Sequence, residues 1–135
     1  MEADFTERRR HIRIFFDSLE EASCLFIADE KAVTLWSASV LDLSLGGLHL
    51  TLIGDADLSV GDRLILCNLT HRTGQVCDEQ ISMEVRWLFT RPEFRRLYVG
   101  CRFLHLPEKS RGHIANLISV KLLEASTVRS GTLNN

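Results

Sequence analysis

Apolar and polar residues alternate through most of the chain as far as residue 105, and this alternation predicts β-strands. The clearest period of two covers residues 81–89. Its apolar face would consist of Ile81, Met83, Val85, Trp87 and Phe89. Alternation or short apolar runs predict further strands at residues 22–29, 32–43, 48–53, 62–69 and 96–105. Gly100, inside the last of these strands, indicates a β-bulge or the close approach of another backbone or a ligand.

The pattern changes after Pro107. Apolar residues then recur at helical spacing and predict a helix over residues 108–124; they are Ile114, Leu117, Ile118 and Leu122. Six antiparallel strands followed by one helix indicate a mainly β fold. We therefore expect a six-stranded antiparallel β-barrel, about residues 22–105, with the C-terminal helix packed on one opening or edge. Residues 1–7 are expected to be a mobile N-terminus and residues 126–135 a frayed polar tail.

Composition narrows the class of protein. The chain has 135 residues, of which 45% are hydrophobic and 25% charged, which is typical of one globular domain and excludes a disordered or fibrous protein. No apolar run is long enough to span a bilayer, and the N-terminus carries acidic residues and lacks an apolar export signal. Four dispersed cysteines in such a chain favour a reduced, cytoplasmic setting, with Cys24 and Cys101 as core residues.

Metal binding and catalysis are both disfavoured. A metal site could be assembled from Cys67, His71 and Cys77, with His105 or Cys24 as the fourth ligand, but the tight C-x2-C spacing of zinc sites is absent from the sequence. The histidines are scattered, and no Ser–His–Asp or Cys–His ordering is recognisable. We therefore expect neither a metal site nor an enzyme.

The formal charge of -2 conceals a strongly basic segment. Residues 14–62 hold nine acidic residues and one lysine, whereas residues 63–135 hold eleven basic and six acidic residues. A cluster of arginines precedes both segments, at Arg8, Arg9, Arg10 and Arg13. Guanidinium groups packed this closely repel one another unless a multivalent anion lies between them, and they suit bidentate recognition of phosphate and guanine. This arginine arm, residues 8–13, therefore predicts an anionic ligand; the alternative is a solvated basic arm or a nonspecific contact with nucleic acid or acidic lipid.

A second motif, Asp-Leu-Ser-Leu-Gly-Gly, covers residues 42–47 at the end of a predicted strand. Asp42 and Ser44 are two residues apart, so in an extended backbone both would point to one side and present a carboxylate and a hydroxyl to the same ligand edge. Gly47 would permit a close approach of the backbone. The alternative is a tight turn in which Asp42 or Ser44 bonds to the nearby backbone and the glycines adopt positive φ.

Together these motifs resemble the signature of the PilZ family, bacterial receptors for the second messenger cyclic di-GMP (c-di-GMP). Arg9 and Arg13 match the family's R-x-x-x-R, and Asp42, Ser44 and Gly47 match its [DN]-x-S-x-x-G. The resemblance covers nearly all of residues 7–125, including the segment GCRFLHLPEKSRGHI, and it implies a PilZ domain over residues 8–125.

The resemblance also implies roles for individual residues. Arg8, Arg9 and Arg13 would wrap the nucleotide against the barrel, since arginine pairs with phosphate oxygens and with guanine O6 and N7. Asp42 and Ser44 would contact guanine, whose N1 and N2 groups are donors, while Gly47 would leave room for it. Further candidates are Arg10, Gly46, Trp87 and Gly100, although Trp87 fits a core position better. Three consecutive arginines are compatible with one nucleotide or with a stacked pair.

The implied function is that of a cytoplasmic c-di-GMP receptor and free-standing adaptor. Its arm would become ordered on binding and signal to an unidentified effector protein, with no cofactor, metal or membrane insertion. The alternative is a PilZ-like interaction module that binds no nucleotide. Nucleic acid is disfavoured because Trp36, Trp87 and Phe89 fit core positions rather than an exposed stacking surface, and because residues 14–62 are acidic.

Overall fold

The structure is a computed structural model that describes residues 11–28, 34–54 and 56–134, with the backbone alone over residues 126–134. Its strands are β1 (Ile14–Phe15), β2 (Ala22–Ala28), β3 (Leu35–Leu43), β4 (Gly47–Ile53), β5 (Arg63–His71), β6 (Gly74–Cys77), β7 (Ile81–Arg91) and β8 (Arg96–Phe103). A 3-10 turn, Pro92–Phe94, joins β7 to β8, and the helix α1 covers Glu108–Asn134.

Six of the strands close into the predicted antiparallel barrel. Their order is β3–β2–β5–β7–β8–β4, and β4 pairs back with β3 to complete the ring. The two remaining strands, β1 and β6, are too short to show a sequence pattern, and they extend the sheet beside β3 and β5. The barrel encloses the apolar core, in which Cys24 and Cys101 are buried as predicted. Burial raises the pKa of both thiols to about 12.

A β-bulge in β7 changes the face on which its aromatic residues lie. The pairing with β8 shifts register between Val85, which lies opposite Cys101, and Trp87, which lies opposite Gly100, so that Arg86 is the extra residue. Because one extra residue reverses the alternation, Ile81, Met83 and Val85 point into the core as predicted, but Trp87 and Phe89 do not. Trp87 is 40% exposed and Phe89 50% exposed, so their prediction as core residues is wrong.

A second bulge acts on β3 in the same way. Its pairing with β4 shifts between Val40 and Asp42, with Leu41 as the extra residue. Val40 and Leu43 are fully buried in the core, whereas Asp42 lines a cavity on the surface of the barrel. Strict alternation from Val40 would have directed the Asp42 carboxylate into the core.

The helix α1 packs against β1 and β6 through part of its predicted apolar stripe. Ile114, Leu117 and Ile118 are buried as predicted, but Leu122 is 42% exposed. Lys121 occupies the next position of the buried stripe. The helix also continues to Asn134, past the predicted end at residue 124 and through most of the segment expected to be frayed.

Lys121 belongs to a buried ionic cluster, formed by Glu21, His71 and Lys121, that joins the turn before β2 to β5 and α1. Lys121 Nζ lies 2.6 Å from Glu21 Oε2, and His71 Nε2 lies 2.9 Å from the same oxygen. The backbone N–H of Asp17 donates to Glu21 Oε1 at 2.6 Å, and the ring of Phe16 packs on His71 with centroids 5.7 Å apart. The cluster therefore anchors the chain directly after β1, close to Arg13, to the barrel and to α1.

The cluster also determines the ionisation of its carboxylate. Burial by itself raises the pKa of Glu21, but hydrogen bonds from Lys121, the Asp17 N–H and His71 outweigh this effect and lower the pKa to about 2. Burial lowers the pKa of Lys121, yet its bonds to Glu21 and Asp17 raise it above the ordinary value. Glu21 and Lys121 are therefore both charged at neutral pH.

Candidate functional site

The turn between β3 and β4 forms one wall of a surface cavity. The N–H of Ser44 donates to the carbonyl of Gly47 at 2.9 Å, and the Ser44 hydroxyl accepts the N–H of Gly46 at 3.1 Å. These bonds form the tight turn that the sequence offered as the alternative, in which Ser44 bonds to the nearby backbone. Gly46 and Gly47, however, do not have the positive φ expected for such a turn. Gly47 is required for space, because a Cβ at this position would collide with the carbonyl oxygen of Cys101 on β8. The close approach at Gly47 is thus to the backbone of β8, and its role in making room for a ligand stays a prediction.

Asp42 lies at the base of the cavity, where its two carboxylate oxygens have different partners. His49 Nδ1 lies 2.6 Å from Oδ2, and Arg13 Nε lies 3.6 Å from Oδ1. The Asp42 side chain is 8% exposed, whereas that of Arg13 is 49% exposed, so solvent screens the ion pair and leaves it a small contribution to stability. The guanidinium of Arg13 is therefore accessible to a ligand, whereas the carboxylate with which it pairs is buried.

The opposite wall is formed by Trp87 over Gly100. A Cβ at Gly100 would collide with the indole of Trp87, so a side chain makes the close approach at this glycine rather than the backbone or ligand expected. The bulge lies in the facing strand β7. The ring of His49 packs on the indole with centroids 4.9 Å apart and planes inclined by 53°. Trp87 thus packs on Gly100 and His49 and remains partly open to the cavity.

The cavity has a volume of about 350 Å³ and a mainly basic rim. The residues that line it are His11, Arg13, Asp42, Ser44, Gly46, Gly47, Leu48, His49, Arg86, Trp87, Gly100, Cys101 and Arg102. Arg86 and Arg102 both lie 3.4 Å from the carboxylate of Glu84, which holds the two guanidinium groups beside each other. A basic rim above one buried carboxylate suits a ligand with both phosphates and hydrogen-bond donors.

Most of the predicted site residues meet at this one cavity. They are Arg13, Asp42, Ser44, Gly46, Gly47, Trp87 and Gly100. Arg8, Arg9 and Arg10, predicted to complete the arm, lie outside the described residues. The roles of all these residues in binding stay predictions.

His11, His49, Arg86 and Arg102 also line the cavity but are not among the site residues predicted from the sequence. The position of His49 could have been predicted from the turn. If Ser44 pairs with Gly47, the next pair of the hairpin is Leu43 with Leu48, and the pair after that is Asp42 with His49. The two arginines had no such signal, since their position depends on how β7 and β8 pair. Because Trp87 and Phe89 are exposed, these two aromatic residues do not disfavour a nucleic-acid partner.

Other site types are not supported by the described residues. Cys67, His71 and Cys77 do not form a metal site, because no group of three or more His, Cys, Asp or Glu side chains in the described part of the chain could hold a metal ion.

Across residues 11–28, 34–54 and 56–134, no helix combines the length and apolar character needed to cross a membrane.

Comparison with protein-family models matches the PilZ domain over residues 7–119. The chain belongs to the PilZ family. The match includes both motifs, the cavity between them and the first part of α1. A comparison with curated protein sequences finds no match.

Solved structures show the same PilZ fold. The PilZ domain of YcgR from Escherichia coli, solved with c-di-GMP, superposes with a TM-score of 0.66 at 20% identity and covers 91% of this chain and 98% of its own. The K. pneumonia MrkH–c-di-GMP complex gives 0.65 at 18% identity, covering 88% of this chain and 53% of its own. The Bacillus subtilis inhibitor of motility, MotI/DgrA, gives 0.59 at 17% identity, covering 87% and 52%. This chain therefore spans about half the length of MrkH and MotI.

Proposed function

We propose that this PilZ domain is a receptor for c-di-GMP and that its function is binding rather than catalysis. The observation that carries the proposal is the meeting of Arg13, Asp42 and Trp87 at one cavity with the Ser44–Gly47 turn. This combination offers a guanidinium, a buried carboxylate and an open indole, which match phosphate, guanine donors and a purine face respectively. YcgR and MrkH, which share the fold, were solved with c-di-GMP.

Each residue then has a defined role. Arg13, with Arg8 and Arg9, pairs with phosphate oxygens or with the O6 and N7 acceptors of guanine. Asp42 accepts the N1 and N2 hydrogens of guanine, and the indole of Trp87 stacks on the base. Because the Ser44 hydroxyl already bonds within the turn, we assign it chiefly to holding Gly46 and Gly47 in place.

Binding also requires an exchange of partners. Arg13 lies next to Asp42, so a nucleotide that bonds to the carboxylate and draws the guanidinium to a phosphate must separate the two side chains. We propose that this exchange orders the arginine arm across the cavity and that the changed surface signals to an effector protein in the cytoplasm.

The direct test is isothermal titration calorimetry of the full chain with c-di-GMP. The native chain should bind, while Arg13→Ala and Asp42→Ala should each lower the affinity by about tenfold or more, because each removes a charge-assisted hydrogen bond worth about 1.5–3 kcal/mol. Arg111→Ala and Asp78→Ala, both at exposed positions away from the cavity, are the matched controls and should bind like the native chain.

Two outcomes would contradict the proposal. Absence of binding by the native chain would favour the interaction module that binds no nucleotide. Salt-sensitive binding of a labelled single-stranded oligonucleotide without c-di-GMP binding would favour a nucleic-acid partner. This alternative is tested because the exposed rings of Trp87 and Phe89 could stack on the bases of a single strand.

A further inference from the structure

His49 contacts both Asp42 and Trp87. Its Nδ1 bonds to the Asp42 carboxylate at 2.6 Å, and its ring packs on the indole with centroids 4.9 Å apart. The side chain is 20% exposed and lines the cavity. The imidazole therefore connects the residue proposed to accept guanine donors with the residue proposed to stack on the base.

Strand register determines both contacts. The β3–β4 turn pairs Asp42 with His49, the β4–β8 pairing places Gly100 opposite His49, and the β7 bulge places Trp87 opposite Gly100. Since Gly100 has no side chain, the indole can reach across it to the imidazole. A shift of any of these pairings by one residue would separate His49 from Asp42 or from Trp87.

The charges around His49 change when Arg13 leaves. Within the described residues, Arg13 is the arginine or lysine that lies within 4.0 Å of the Asp42 carboxylate. When the nucleotide draws Arg13 to a phosphate, the buried carboxylate gains the neutral donors of guanine and keeps His49 as its partner. Its negative charge is then left without a compensating positive charge, which is unfavourable. A proton on the imidazole would supply that charge.

The other charged and titratable groups facing the cavity supply this positive charge to Asp42 less directly than His49. On β7 and β8, Arg86 and Arg102 are bonded to Glu84. The Cys101 thiol stays neutral because burial raises its pKa to about 12. On the arm, His11 lies over Gly46 with its Nδ1 buried, and this is the second titratable imidazole of the cavity.

We propose that His49 is a positioning residue for c-di-GMP, which holds Asp42 and Trp87 in their binding geometry and takes up a proton when the nucleotide draws Arg13 away from Asp42. This inference rests on the proposed function. Because the complex would then bind more protons than the free protein, affinity rises as the pH falls. We expect c-di-GMP to bind about three- to tenfold more tightly at pH 6 than at pH 8, since full uptake of one proton would change the affinity tenfold per pH unit.

Calorimetry of the full chain with c-di-GMP at pH 6, 7 and 8, in two buffers of different ionisation enthalpy, measures both affinity and proton uptake. His49→Asn keeps a donor near the Nδ1 position but cannot be protonated, so it should bind at pH 8 within about fivefold of the native chain and show no rise at pH 6. His49→Leu removes the donor and should lose about tenfold or more at every pH. His113→Asn, at an exposed position on α1, is the matched control and should keep the native pH dependence.

The outcomes separate the inference from the proposed function. Native proton uptake that persists in His49→Asn, or that disappears in His11→Asn and not in His49→Asn, would overturn the inference and leave the receptor function intact. Failure of the native chain to bind c-di-GMP at any of the three pH values would overturn both.

Discussion

Replacing Lys121 of the buried ionic cluster with methionine should lower the stability of the folded protein. The pKa of Glu21 is about 2 in the folded protein, compared with an ordinary value of 4.5. At about 1.36 kcal/mol per pKa unit, this difference stabilises the folded protein by about 3 kcal/mol at neutral pH. Lys121 donates the first of the bonds that lower this pKa, so its removal should cost about 1–3 kcal/mol at pH 7.

The sign of the pH dependence follows from a lowered carboxyl pKa. The stabilisation is present above the unfolded value of 4.5 and is lost as the pH falls from there towards about 2, where Glu21 becomes protonated in the folded protein as well. The difference between the native chain and Lys121→Met should therefore be largest near pH 7 and should shrink towards pH 2. The double variant Lys121→Met/Glu21→Gln should recover part of the loss at pH 7, because it leaves no unpaired buried charge.

Urea denaturation from pH 7 down to pH 2.5 measures these differences, and thermal unfolding at pH 7 should show a midpoint lower by roughly 10 °C for Lys121→Met. Lys109→Met is the matched control, because Lys109 is exposed on the same helix and should change stability by less than about 0.5 kcal/mol. Equal midpoints for Lys121→Met and Lys109→Met would refute the argument, as would a difference that grows when the pH is lowered.

Other predictions concern glycine positions and thiols. Gly100→Ala should destabilise the protein by about 1–3 kcal/mol and shift the fluorescence of Trp87, because the new Cβ displaces the indole; unchanged fluorescence would contradict this. Gly112→Ala, with no atom within 4 Å of the added Cβ, should instead stabilise α1 by about 0.5–1 kcal/mol in urea denaturation, and a loss of stability would show that this position is not open. With Ellman's reagent at pH 8, the half-buried Cys67 should react in the folded protein and Cys24, whose pKa burial raises to about 12, only on unfolding; equal rates would contradict the burial.

The strands that line the barrel were predictable because each buries one face and leaves the other in water. That arrangement enforces a period of two over residues 48–53 and 81–85, and the six strands follow from it. The apolar stripe of α1 was visible as far as Ile118 for the corresponding reason at helical period. The PilZ motifs were likewise readable because Asp42, Ser44 and Gly47 lie together in one turn.

The faces of the bulged strands were not predictable in this way. A bulge adds one residue without changing composition, so the sequence around Arg86 reads as an unbroken alternation while the side chains reverse direction. This single insertion moved Trp87 from the expected core to the wall of the cavity. The inward position of Lys121 was not predictable either. A lysine on a helix normally faces water unless a carboxylate such as Glu21, which is distant in sequence, compensates its charge.

The sequence by itself thus determined the fold class, the family and the two motifs, because local periodicity and residues close in the chain carry that information. Only the tertiary structure decided that Arg13 lies on Asp42, that His49 connects Asp42 to Trp87, and that Glu21 bonds to Lys121. Most of these pairs are distant in sequence, and their contacts depend on strand register and on charges that become costly when buried without a partner.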